Sequence, residues 1–161
     1  MPTPFYHVLE TVTLTSTASS VTFSSIDQGY GDLILTVAGV GVGGTNYFDC
    51  RLNGDTGDNY YKVRMIGDGS DAESLYGSGV SFPYGNLSTT GGSFTAQLFD
   101  YTATDKHKSL LARSGSSDVR VAAFAFRWAS TSAVTSIEIY SSGTGAAAGS
   151  TFTLYGTTKA V

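Results

Sequence analysis

Apolar and polar residues alternate with a period of two along most of the chain, the repeat of strands that bury one face. Val8, Glu10, Val12 and Leu14 share one side of a first segment, with Leu9, Thr11 and Thr13 on the other. Val21 and Phe23 mark a second. Leu33 to Val40 is apolar on both sides and predicts a central, covered strand. Phe48 to Leu52 and Tyr61 to Ile66 flank the turn-rich run Asn53-Gly54-Asp55-Thr56-Gly57-Asp58-Asn59, which predicts a hairpin. Further strands are expected at Val80 to Phe82, Thr95 to Tyr101, Lys108 to Arg113, Val119 to Trp128, Val134 to Tyr140 and Thr151 to Tyr155. Gly-rich stretches near Gly41–Gly44, Gly67–Gly79 and Gly143–Gly149 predict mobile loops. Short strands at this spacing imply an all-β fold, an antiparallel two-sheet sandwich of jelly-roll type. No linker interrupts residues 1–161, so one domain is expected, with 1–7 as an extended N-terminal arm.

Composition agrees. Ser and Thr number 21 each and Gly 20, while Asp, Glu, Lys and Arg together make only 14%. Tyr and Phe are abundant, and these types suit a pleated, half-buried surface. The net charge of −4 argues against a nucleic-acid partner, whose phosphates call for a basic footprint. Lys106-His107-Lys108 is expected to be a solvated turn. No apolar run approaches the roughly 18 residues of a membrane span, and Met1 to Glu10 lacks the basic start and apolar centre of a signal peptide. A lone cysteine, Cys50, alternates with Phe48 and Leu52 and is expected to be a small buried hydrophobe.

Little in the sequence marks a reaction centre. His7 and His107 are far apart, no Gly-x-Ser-x-Gly elbow singles out a serine, and neither a catalytic residue nor a cofactor is expected. The Asp and Asn at 53–58 and the acids at 68–73 match no EF-hand spacing, so they are expected to bond their own turns rather than a metal. Tyr60, Tyr76, Tyr84 and Tyr101 fall in or near loops, where they suit either sugar stacking or a protein interface. Three features suggest partner contacts. Phe5 and Tyr6 belong to the arm. Arg51, Lys62 and Arg64 alternate outward on the expected hairpin, where they would form one exposed cationic patch. Phe124, Phe126 and Trp128 lie on one face of a strand whose other face, Val119, Val121, Ala123 and Ala125, is also apolar. That strand needs a second cover, so the aromatic trio is a candidate subunit interface.

Six phrases in order carry a family resemblance: Ser19–Ile26 (SSVTFSSI), Asp32–Gly39 (DLILTVAG), Arg51–Tyr60 (RLNGDTGDNY), Tyr101–Arg113 (YTATDKHKSLLAR), Arg127–Tyr140 (RWASTSAVTSIEIY) and Gly149–Gly156 (GSTFTLYG). Together they resemble small virion structural proteins of tailed bacteriophages. The resemblance implies a non-enzymatic β-sandwich, often trimeric, and a capsid decoration (cement) protein bound to the major capsid protein on the outer surface of the virion. A tail fibre or receptor-binding domain recognising host-surface glycans is the alternative, as is a stand-alone carbohydrate-binding module. Arg64 to Tyr84, richer in Gly, Ser and Asp than the pattern, and the added tail Thr157 to Val161 are where attachment specificity is expected.

Overall fold

The computed structural model describes residues 5–117 and 121–159. Residues 1–4 of the expected arm, and Val119 and Arg120 of the expected Val119–Trp128 strand, lie outside the described residues. The strands are β1 (Tyr6–Thr13), β2 (Ser20–Phe23), β3 (Leu33–Gly39), β4 (Asn46–Leu52), β5 (Tyr60–Gly67), β6 (Ala72–Gly79), β7 (Phe82–Leu87), β8 (Gly92–Phe99), β9 (Lys108–Ser116), β10 (Val121–Trp128), β11 (Ile137–Ser141) and β12 (Thr151–Thr157). There is no helix among the described residues. The strands form two antiparallel sheets, an eight-stranded one ordered β1-β12-β3-β8-β9-β10-β5-β6 and a four-stranded one ordered β2-β11-β4-β7. The fold is the antiparallel β-sandwich that the alternation implied. From β1 to β4 the chain changes sheet at every connection.

The core is the space between the sheets. Leu33, Leu35, Val37, Phe94, Leu98, Leu110, Phe152 and Leu154 face it from the large sheet, while Phe23, Phe48, Cys50, Leu52, Phe82 and Ile139 face it from the small one. Cys50 is buried, as its spacing indicated. Edge strand β7 approaches the large sheet so closely that a Cβ on Gly85 would lie 2.6 Å from Cβ of Ser114 and 3.0 Å from Cβ of Phe94. Glycine is required there by proximity alone.

Three expectations are corrected. First, β4 and β5 are not a hairpin. β4 pairs with β11 and β7, whereas β5 pairs with β10 and β6. The turn between them is real, with Asn53 and Gly54 both at positive φ (53° and 66°), but it carries the chain from one sheet to the other. The Asn53 amide fixes this arch to the β10–β11 connection: Nδ2 donates to the Ala133 carbonyl (2.8 Å), and Oδ1 accepts from the N–H groups of Thr135 (2.8 Å) and Ser136 (3.1 Å). Second, a bulge at Leu9 shifts the register between Val8 and Glu10. Val8 is consequently turned outward while Val12 packs on the core. Third, much of the Gly67–Gly79 stretch is strand, not loop. β6 pairs residue by residue with β5 from Ala72 to Gly79.

Candidate partner-binding face

The parity of β5 and β10 decides which side chains are available to a partner. Trp128, Phe126 and Phe124 point inward, and their cross-strand partners Tyr60, Lys62 and Arg64 must point the same way. Tyr60 anchors this register. It meets Phe82 of the small sheet edge-on at 4.6 Å and lies near-parallel to Trp128. Its hydroxyl accepts from the Leu52 N–H (3.2 Å) and lies 3.0 Å from the Asp55 carbonyl. Burial pushes this phenol far above the ordinary tyrosine range.

The candidate subunit interface is therefore intrachain core. Phe124, Phe126 and Trp128 are only 7%, 5% and 2% exposed. The small sheet supplies their cover: Phe82 packs on Phe126 with ring centroids 4.7 Å apart. Among the described residues nothing covers the opposite face of β10.

The cationic patch does not form either, because its members sit on different sheets. Arg51 is on β4, where its guanidinium stacks over Tyr140 (4.2 Å) and pairs with Glu138 (3.7 Å). Arg64 faces inward and pairs with Glu73 of β6 (2.9 Å). Lys62, also inward, contributes with Arg51 to the field at Asp49. Burial raises that carboxyl above its ordinary range, against the opposing pull of the Ser81 hydroxyl, Lys62 and Arg51. These inward cations are tolerated because the wider sheet overhangs the narrower one. β6 is exposed along much of its length, so this part of the inner face stays wet.

The arm is shorter than expected. Tyr6 and His7 are already paired with Thr157 and Gly156, and the Phe5 carbonyl accepts from the Thr158 N–H (2.9 Å). Phe5 and Tyr6 nevertheless keep exposed rings, 57% and 58%.

The sequence did not single out one concentration of exposed apolar surface, the outer face of the large sheet around β9, β10 and β5. Val63, Met65, Leu111 and Val121 are 43%, 59%, 53% and 66% exposed. The cross-strand registers place Ala123 and Ala125 between them, Ala125 beside Val63 and Leu111, and Ala123 beside Met65 and Arg113. The small alanines form the floor of a shallow trough of about 430 Å³. A second depression of about 700 Å³ continues it past Met65 and Val121 toward β6, where Glu73, paired with Arg64, lines its far side. The alternation of β10 contained this signal, since Val121, Ala123 and Ala125 are apolar where a solvated face would be polar.

The remaining polar candidates are structural. Asp55 accepts from Trp128 Nε1 (2.7 Å), Asn59 Nδ2 (2.9 Å) and the Gly57 N–H (2.8 Å). Asp68 accepts from the N–H groups of Ser70 and Asp71. Among the described residues, no three His, Cys, Asp or Glu are grouped to hold a metal. Lys108 is not solvated but fully buried. Its ammonium donates to the carbonyls of Ala103 (2.6 Å), Lys106 (3.2 Å) and Thr131 (3.3 Å), and burial lowers its pKa. Of the loop tyrosines, Tyr60 and Tyr101 belong to the core, with the Tyr101 hydroxyl bonded to the Asp27 carbonyl, while Tyr76 is 74% exposed. The Tyr84 side chain lies outside the described residues.

No protein-family model matches this chain. No curated protein matches it. Solved structures similar to it include a human SPRY domain, 10% identical with a TM-score of 0.40, covering 93% of this chain and 96% of that one. A galectin from Caenorhabditis elegans is 9% identical with a TM-score of 0.38, covering 92% and 96%. An alginate lyase is 13% identical with a TM-score of 0.36, covering 91% and 78%. At these values the likenesses carry no argument about ligand or chemistry.

Proposed function

We propose that this protein is a capsid decoration protein that binds the major capsid protein on the outer surface of an assembled bacteriophage shell, and that it acts by binding rather than by catalysis. The observation that carries this reading is the uncovered apolar trough on the large sheet. Such a surface has the character of a protein contact site. A sugar site needs several polar groups converging on one spot, and the centre of this trough is aliphatic. The ordered resemblance of six segments to phage virion proteins supports a shell as the partner. A decoration protein that binds only the closed lattice stabilises it by mass action. Trimerisation, which the resemblance implies, has to use surfaces other than the buried Phe124, Phe126 and Trp128.

The test is copy number on purified particles. Decoration predicts this chain at a number comparable to that of the capsid subunits on a protein gel, and capsids lacking it should rupture at lower temperature. A handful of copies per particle points instead to a tail fibre or receptor-binding domain. Absence from particles, together with glycan binding by the free chain, points to a carbohydrate-binding module.

A further inference from the structure

We infer that the chain docks through the outer face of its large sheet, and that the matching partner surface is a protein surface with an apolar centre bordered by carboxylates. The inference rests on the decoration reading and names the contact face and its chemistry. It departs from the sequence expectation, which placed polar contact at Arg51, Lys62 and Arg64.

The charge distribution is the main argument. The chain carries 13 Asp and Glu against 9 Lys and Arg. Yet the cross-strand registers put no acidic residue at any strand position facing outward from the large sheet. The outward positions of β5, β6, β8, β9 and β10 are filled by aliphatic, aromatic, small or hydroxyl-bearing residues, with Gln97 and two arginines. Those arginines flank the trough. Arg113 stands opposite Ala123, two residues along β9 from Leu111, and Arg127 lies two residues along β10 from Ala125. The Arg127 guanidinium is held over the Tyr61 ring at 4.4 Å. Neither arginine is in an ion pair among the described residues. Arg64 and Arg51, by contrast, are paired with Glu73 and Glu138.

A partner that covers the trough also dries these two guanidiniums, which then need anions in their forked geometry. A second copy presenting the same face brings in four guanidiniums, while the one carboxylate bordering each copy's face, Glu73, is already paired with Arg64, so self-pairing through this face is disfavoured. Nucleic acid supplies phosphates but no apolar complement, and two cations are a thin footprint for it. A protein surface bearing both apolar side chains and carboxylates satisfies the trough and its border together.

The experiment uses the full chain and shells assembled from the capsid protein alone, with binding read by co-sedimentation. Leu111→Glu and Arg113→Glu each place a carboxylate on the face and should weaken binding at least about tenfold. Thr22→Glu, on the outer side of β2 in the small sheet, should change binding less than about twofold. Added salt should weaken wild-type binding. Met65 provides a readout that needs no substitution. Peroxide transfers one oxygen to its exposed thioether, giving sulfoxide and water, and bound shells should slow that oxidation at least about fivefold.

Folded Leu111→Glu and Arg113→Glu variants that bind shells as wild type does would remove this face from the contact while leaving decoration intact. An unchanged Met65 oxidation rate in the complex would do the same. A free protein whose oligomer is dispersed by Leu111→Glu would make the face a self-interface and overturn the inference. Failure of the wild-type chain to bind shells at all would remove the decoration reading and this inference together.

Discussion

The Asp55 carboxylate closes the arch between the sheets by taking one hydrogen bond from a core indole and two from its own turn. Burial alone would raise its pKa, but the bonds from Trp128, Gly57 and Asn59 together outweigh it and hold the carboxyl below 3.8. A carboxyl depressed in the folded state binds protons less readily than in the unfolded chain. Its contribution to stability is therefore present above the ordinary value of 3.8 and is lost as pH falls through the folded-state value. Replacing Asp55 by Ala should cost about 1–3 kcal/mol near neutral pH, because the indole N–H loses its acceptor. Urea unfolding of the two proteins should show that gap narrowing in acid. Asp55→Asn keeps an acceptor and should cost less. The turn chemistry at 53–59 was legible in the sequence, whereas its grip on Trp128, 73 residues away, was not.

Among the elements, β10 was read correctly in its alternation and incorrectly in its cover. Its two apolar faces did call for two covers, and the small sheet supplies one of them to Phe124, Phe126 and Trp128. Trp128→Ala should accordingly destabilise the fold by about 3–5 kcal/mol, the cost of emptying a core site. Sedimentation should show no change in the association state of the fraction that remains folded. β5 was misread for a reason that belongs to pairing. Val63 and Met65 look like core positions and Lys62 and Arg64 like surface positions until Tyr60 is locked between Phe82 and Trp128. A strand whose parity is fixed at one residue carries every other residue with it.

At the level of the whole molecule, the mismatch in width between the sheets organises stability. Eight strands facing four leave β6 overhanging, with most of its residues exposed, while β8 and β9 are central and packed on β7. Amide hydrogen exchange should reflect this directly: β6 should exchange fastest among the paired strands and β8 and β9 slowest, with protection of central strands approaching that of global unfolding. Equal protection of β6 and β9 would contradict this account of the overhang.

The sequence by itself determined that the chain is built from short strands, that Cys50 is core, and that residues 53–59 reverse the chain. Alternation and turn residues are local, and local sterics and hydrogen bonding suffice to set them. Only the tertiary structure decided that β4 and β5 part company into different sheets, that the aromatics of β10 are intrachain core, that Lys62 and Arg64 turn inward, and that an apolar face with no acidic residue at its outward strand positions lies open on the large sheet. Strand partnership and parity depend on which distant side chains fill the same space, and a period of two is equally compatible with either face.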